Sequence, residues 1–147
     1  AEPSEQTEKS MENLIKVIER LEDKESDSFL FTTSNDFYLV AFNKGKLGKS
    51  GIKGYYEKPA NECYDMACLV MCSDSEDANA CMGSKIVRSI EEIEVIDVKT
   101  PGNQDAGIVT YTQGKMINLY VAKNNNRLIL KELEEGESVE DFDIYIE

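Results

Sequence analysis

The four cysteines constrain the fold more than any other feature of this chain, because they all lie within nineteen of its 147 residues. They are Cys63, Cys68, Cys72 and Cys81. The chain has no histidine, so these thiols have no imidazole with which to share a metal ion or a proton transfer. The cluster predicts either two local disulfides or an all-cysteine metal site, and it excludes most catalytic schemes that pair a nucleophile with histidine.

The spacing C-x4-C-x3-C-x8-C favours two disulfides over free buried thiols or a metal site, because it matches neither zinc knuckles nor plant-type iron–sulfur ligation. If the segment from Cys68 to Cys72 is extended, its end Cα atoms lie roughly 13 Å apart. That exceeds the limit of about 7 Å for a bridge. Two pairings remain open: Cys63 with Cys68 and Cys72 with Cys81, or Cys63 with Cys72 and Cys68 with Cys81.

Acidic residues between the last two cysteines are weak candidates for a cation site. Asp74, Glu76 and Asp77 offer clustered carboxylate oxygens, which calcium prefers. The segment lacks the pattern and central glycine of an EF-hand loop, so we interpret it as an exposed acidic loop and predict no metal and no cofactor.

The net charge of −13, from 29 acidic and 16 basic residues, makes phosphate backbones and anionic lipid surfaces poor partners. No apolar run approaches the length of a spanning helix, so we expect neither nucleic-acid binding nor membrane insertion by this chain.

The charge is unevenly distributed along the chain. Residues 132–147 carry eight acids and no base. This asymmetry indicates two solvated faces or a head-to-tail contact between copies. The opposing basic cluster consists of Lys44, Lys46, Lys49, Lys53 and Lys58.

A second candidate binding region combines this basic loop with two adjacent tyrosines. Tyr55 and Tyr56 follow a segment rich in glycine and lysine, and aromatic rings beside cations can stack on a glycan or hold a small anion. Tyrosines that flank a strand are also common in sheet cores and edges. The candidate binding residues are Tyr55, Tyr56, Lys44, Lys46, Lys49 and Lys53.

The order of apolar patterns predicts a single domain. Residues 1–9 are polar and read as a flexible tail, and residues 10–147 form the domain, with a cysteine-stapled segment at 63–81. From Ser10, a plausible N-cap, apolar residues with helical spacing predict an amphipathic helix that ends near Lys24.

The remaining patterns have the period of strands. Residues 29–33 and 37–42 predict a hairpin, and residues 86–98 predict one or two strands. Residues 107–113, 116–122 and 127–133 predict a meander, and alternation at Phe142, Ile144 and Ile146 predicts a final strand. The fold class is therefore α+β: one N-terminal helix packed on a mainly antiparallel sheet or sandwich of about 7–8 strands.

The segment order resembles uncharacterised archaeal extracytoplasmic domains that contain cysteines and commonly follow one N-terminal membrane helix. Three stretches carry the resemblance: residues 11–18, residues 37–42 running into Asn43-Lys44-Gly45, and Lys58-Pro59 before Cys63 with Cys68-Leu69-Val70-Met71-Cys72. They cover under half of the chain and include no functional motif. The resemblance implies an ectodomain and brings no activity or site residue with it.

The chain begins with Ala1-Glu2-Pro3, from which we expect a processed or excised extracytoplasmic protein, secreted or at the cell surface. No Walker, GxGxxG, HExxH or GxSxG motif is present. We therefore expect a non-enzymatic surface domain that acts through protein contacts, including self-association in a surface assembly. The alternatives are a module for a glycan or small anion, and a metal-dependent protein with a four-cysteine site.

Overall fold

A computed structural model of the chain describes residues 4–45, 49–50, 56–73, 79–84, 86–99 and 107–147. Within these residues the chain forms an N-terminal helix, two four-stranded sheets and a small strand pair, which confirms the α+β class. The elements are α1 (Glu5–Arg20), β1 (Ser26–Thr32), β2 (Asp36–Phe42), β3 (Lys49–Ser50), β4 (Tyr56–Glu57), α2 (Ala60–Cys63), β5 (Ala67–Ser73), β6 (Val87–Ile90), β7 (Val95–Val98), β8 (Ile108–Gln113), β9 (Met116–Asn124), β10 (Arg127–Glu132) and a 3-10 helix (Val139–Ile146).

Helix α1 begins six residues earlier than the sequence pattern predicts, with its N-cap at Ser4 rather than Ser10. Ser4 is the N-cap, and its hydroxyl accepts a hydrogen bond from the Thr7 amide at 3.2 Å. Thr7 and Ser10 are buried, so small hydroxyl side chains extend the packed face beyond the apolar stripe. The prediction of a flexible tail is therefore wrong for residues 4–9, and residues 1–3 lie outside the described part of the chain.

The two sheets pack as a sandwich around one central core. Sheet A has the strand order β1-β9-β10-β7, and sheet B has the order β6-β5-β2-β8. Their strand pairs are antiparallel except for β7 with β10. Helix α1 contacts β1 and β6, the edge strands on one side of the sandwich, and adds Met11, Leu14 and Ile18 to the central core.

Two predicted strand pairings are wrong. Strands β1 and β2 do not form a hairpin, because β1 pairs with β9 in sheet A while β2 lies between β5 and β8 in sheet B. Strand β8 likewise pairs with β2, so the predicted meander is reduced to the hairpin of β9 and β10. Strand β2 is buried on both faces whereas β1 exposes one. A turn signal indicates a chain reversal, and it does not indicate whether both strands join one sheet.

The predicted C-terminal strand is also wrong, since Val139–Ile146 forms a 3-10 helix. Its start is fixed by Asp141, whose carboxylate accepts a hydrogen bond from the Ser138 amide at 2.9 Å. This helix, which we call the strap, packs on the outer face of sheet A through Tyr120, Ala122 and Ile129. Tertiary packing on an apolar face here overrides the local alternation.

The outer face of sheet B is covered by residues on either side of β5 in the chain, among them Cys63, Ala80 and Cys81. These residues pack with Val40 and Phe42 of β2 and with Val70 of β5. We call residues 63–81, which include β5, the stapled segment. The sandwich therefore has a central core and one smaller apolar cluster on each outer face.

Candidate functional site

The cysteines form two disulfides, Cys63–Cys68 and Cys72–Cys81, with Cα separations of 5.9 and 4.3 Å. This is the first of the two pairings that the sequence left open. Cys68 and Cys72 lie on the outer face of β5, where each is joined to a residue outside the strand. All four side chains are fully buried.

Disulfide-bonded cysteines have no thiolate to offer a metal. Across the described ranges, no group of three or more Cys, Asp or Glu side chains is placed to hold a metal ion. The acidic candidates Asp74, Glu76 and Asp77 lie outside those ranges. Two buried disulfides in a small domain are typical of proteins that fold in an oxidising, extracytoplasmic environment.

The predicted lysine and tyrosine region is described only in part. Lys46, Lys53 and Tyr55 lie outside the described residues, and Lys49 is described only as backbone of β3. Lys44 is exposed, and its amide donates to the Glu94 carbonyl at 2.8 Å.

Tyr56 is only 5% exposed, so it belongs to the apolar cluster on sheet B. Its ring centroid lies 5.9 Å from that of Tyr38, which in turn lies 4.5 Å from that of Tyr111. A ring enclosed in this way has no free face on which a ligand could stack.

Lys58 is not part of an exposed basic patch, because only 4% of it is accessible. Its ammonium donates to the carbonyls of Asn43 at 3.0 Å, Gly45 at 2.5 Å and Met66 at 2.6 Å. Burial lowers the pKa of Lys58, and the charge of Asp65 opposes that shift. The side chain joins the start of the lysine-rich loop to the stapled segment, and nothing in the sequence distinguishes it from its neighbours.

The strap is attached to sheet A through a network of buried and half-buried polar groups. The Tyr120 hydroxyl lies 3.1 Å from the Phe142 carbonyl oxygen and 3.2 Å from Asp143 Oδ1, and these two acceptors share its single hydrogen. The Ser26 hydroxyl donates to the same carboxylate oxygen at 2.6 Å. Burial, followed by the hydrogen bond and charge of Asp143, raises the pKa of Tyr120 well above its ordinary value.

Two lysines, one in β10 and one directly after β7, lie against the rings of the strap. Lys131 Nζ is 4.4 Å from the Phe142 ring centroid and 3.0 Å from a carboxylate oxygen of Glu137. Lys99 Nζ is 4.9 Å from the ring centroid of Tyr145. Cations over aromatic faces stabilise contacts by about 0.5–2 kcal/mol, so part of the acidic C-terminal region is used within the fold.

Large exposed apolar side chains are concentrated on the side of sheet A that carries the strap. Leu30 is 53% exposed, Met116 is 68% exposed, and Ile144 of the strap is 69% exposed. The other two in the described part of the chain, Tyr64 and Met82, belong to or adjoin the stapled segment. Sequence reasoning missed this surface because single apolar residues in half-exposed strands carry no signal of their own.

The free edge of β1 is protected from pairing with another strand. The Thr32 amide donates to the Ser10 hydroxyl at 2.9 Å, and the Ser28 amide donates to Asp27 Oδ1 at 2.8 Å. Side chains therefore occupy two of the positions where a further strand would accept hydrogen bonds. The available surface is the outer face of sheet A rather than its edge.

Comparisons with protein-family models, with curated proteins and with solved structures find no match. Among the described helices, none is both long and apolar enough to cross a membrane.

Proposed function

We propose that this chain is a non-enzymatic domain, secreted or at the cell surface, that acts through protein–protein contacts as a subunit of a surface assembly. One observation carries the proposal: Leu30 and Met116 are exposed as neighbours on the outer face of sheet A. Contiguous exposed apolar surface on a soluble domain commonly marks an interaction site.

The strand register supports a continuous patch. Leu30 lies opposite Asn118, and Thr32 lies opposite Met116, so Leu30 and Met116 are diagonal neighbours on one face. Diagonal neighbours in an antiparallel pair lie about 7–8 Å apart, within reach of long side chains. The other diagonal neighbour of Leu30 is Tyr120, which begins the cluster under the strap. We call Leu30 and Met116 the apolar patch; Ile144 lies towards the other end of this face, because its neighbours Asp143 and Tyr145 bond Ser26 and Asn124.

A groove of about 320 Å³ adjoins Met116 and supplies the concave feature that a partner side chain can fill. The groove is open to solvent, and apolar side chains line it together with a lysine, an amide and a carboxylate. The other lining residues are Tyr111, Lys115, Ile117, Asn118, Glu132 and Leu133.

Two of the ionisable groups with shifted pKa values, Lys58 and Tyr120, have structural roles. Lys58 bonds three carbonyls, and Tyr120 bonds the strap. Both are committed to holding segments together, so neither is poised as a catalytic acid or base.

Sedimentation velocity over a range of protein concentrations at low salt tests the proposal. The wild-type chain should self-associate, and the double variant Leu30→Ser/Met116→Ser should do so at least tenfold more weakly, since each lost side chain removes about 1.5–3 kcal/mol of burial. The matched control is Tyr64→Ser/Met82→Ser, which removes two exposed side chains in or next to the stapled segment and should leave association unchanged. A wild-type chain that stays monomeric at the highest concentration would contradict the assembly.

A further inference from the structure

The strap is attached in a way that lets it leave without disturbing the sheet. Its contacts with strands are side-chain hydrogen bonds and ring packing. In the described residues, no backbone hydrogen bond joins the strap to a strand. The ladder of sheet A is therefore complete without the strap, and undocking costs only the local contacts.

The sequence of the strap and its conformation disagree. Phe142, Ile144 and Ile146 alternate as in a strand, but in the 3-10 helix only Ile146 is buried and Ile144 is 69% exposed. Runs of 3-10 helix longer than three or four residues are uncommon because their hydrogen-bond geometry is poor, and the strap has eight. Docking on sheet A, rather than local preference, holds this conformation.

A short connection provides the hinge. Gly136 has a φ of +87°, and glycine passes between positive and negative φ at little steric cost. The residues from Glu134 to Ser138 are mostly exposed. Residues 132–147 carry eight acids on a chain of net charge −13, and this like-charge repulsion favours release of the strap.

We propose that the strap exchanges between two copies of this chain, each strap docking on the outer face of the other copy's sheet A. This inference rests on the proposed function and names a second copy as the partner. The exchanged strap makes the contacts that it makes within one chain, including those of Asp143 with Ser26 and Tyr120. Because the exchanged strap is identical in sequence, the two copies need no contact surfaces beyond those already used within one chain.

The length of the hinge sets the geometry of the pair. Five residues from Glu134 to Ser138 span at most about 17 Å when fully extended. Reciprocal exchange therefore places the two sheets A close together with their outer faces towards each other. The apolar patch of one copy then lies beside that of the other, which accounts for the exposure of Leu30 and Met116 in a single copy.

Subunit exchange of the full chain provides the test. Unlabelled and 15N-labelled protein are mixed, and mixed dimers are followed over time by native mass spectrometry. Asp143→Ala removes the acceptor shared by Ser26 and Tyr120. Glu140→Ala is the matched control, because it removes one negative charge from an exposed position of the same helix.

Strap exchange predicts a change in rate with little change in affinity. Asp143→Ala should speed the formation of mixed dimers about tenfold, because the strap undocks more easily. The dimer dissociation constant should change less than about twofold, since the lost bonds are absent from both monomer and dimer. Glu140→Ala should match the wild type in both quantities.

Two results would overturn the proposed strap exchange, and they differ in whether the proposed surface assembly is contradicted as well. Dimers whose mixing rate is the same in Asp143→Ala and Glu140→Ala would show that the straps stay on their own chains, while contact through the apolar patch survives. A chain that forms no dimer at any concentration would contradict both the exchange and the surface assembly.

Discussion

Each outer face of this sandwich carries a small apolar cluster, and the two clusters are covered by different kinds of contact. On sheet B, the stapled segment is fixed by two fully buried disulfides. On sheet A, the strap is fixed by hydrogen bonds from Tyr120, Ser26 and Asn124 and by ring packing. The residues that flank β5 stay joined to that strand until a disulfide is reduced, whereas the strap has only non-covalent contacts with sheet A and can undock by local unfolding.

The difference has a physical origin in what each cover offers. In sequence the stapled segment contains a polar stretch, residues 73–77, that offers little apolar surface, and the disulfides add a covalent restraint to the buried cluster at its ends. Four apolar or aromatic side chains of the strap, Val139, Phe142, Tyr145 and Ile146, pack on sheet A without a covalent bond. A cover held in this way fits the strap exchange proposed above.

Removing a disulfide from the stapled segment should have the largest effect on stability. Cys72→Ala/Cys81→Ala should lower the free energy of unfolding by about 2–4 kcal/mol, since it restores conformational freedom to the unfolded chain and removes buried sulfur atoms. Urea unfolding monitored by circular dichroism measures this loss.

Hydrogen exchange of the same variant shows whether the two faces are independent. Amides around β5 and residues 79–84 should lose protection, whereas strap amides should change only by the global loss. Equal additional loss in the strap would show that the two covers are coupled through the central core.

The second largest effect is expected from Lys58, which also holds the segments around sheet B together. Lys58→Met should lower the free energy of unfolding by about 2–3 kcal/mol, because hydrogen bonds from a charged donor to three carbonyls are lost. Thermal unfolding measures the change, and the exposed Lys44→Met is the control of equal chemistry. If both variants unfold at the same temperature, the ammonium of Lys58 does not join the two segments.

The sequence predicted element types better than partners. Helical spacing located α1, and alternation located nearly all the strands, because both periods follow from which side chains face the core. Ser4 and Thr7 extended the helix through capping and buried hydroxyls, which an apolar pattern cannot register. Strand partners depend on which residues distant in sequence meet, so the hairpin of β1 and β2 was predicted where none forms.

The candidate site was less predictable for the same reason. Cysteine spacing and strand geometry left two disulfide pairings, one of which the fold adopts. Lys58 was grouped with exposed lysines, because its burial depends on three carbonyls from two separate segments. The apolar patch depends on the register of β1 against β9, and no short-range pattern encodes that register.

The smallest expected effect concerns the acid dependence of the strap. Glu137 accepts hydrogen bonds from the Glu134 amide at 2.7 Å and from Lys131 at 3.0 Å. The backbone bond, followed by that of Lys131, lowers the pKa of Glu137, and nearby Asp141 opposes the shift. When the pKa of a carboxyl group is lower in the folded state than in the unfolded state, its ionised form stabilises the fold. This stabilisation is complete above the unfolded pKa of about 4.3, and it is lost as the pH falls through the pKa of the folded state.

Strap protection factors should therefore fall as the pH drops below about 4.3, in addition to any global change, while those of the disulfide-bound segment follow global stability alone. Hydrogen exchange at a series of pH values measures both. Glu137→Gln should lower strap protection at neutral pH and remove this acid-dependent step, because the amide does not titrate. An identical pH response in Glu137→Gln and the wild type would assign the acid sensitivity of the strap to its other carboxylates, and Glu137 would then have no part in keeping the sheet A cover closed.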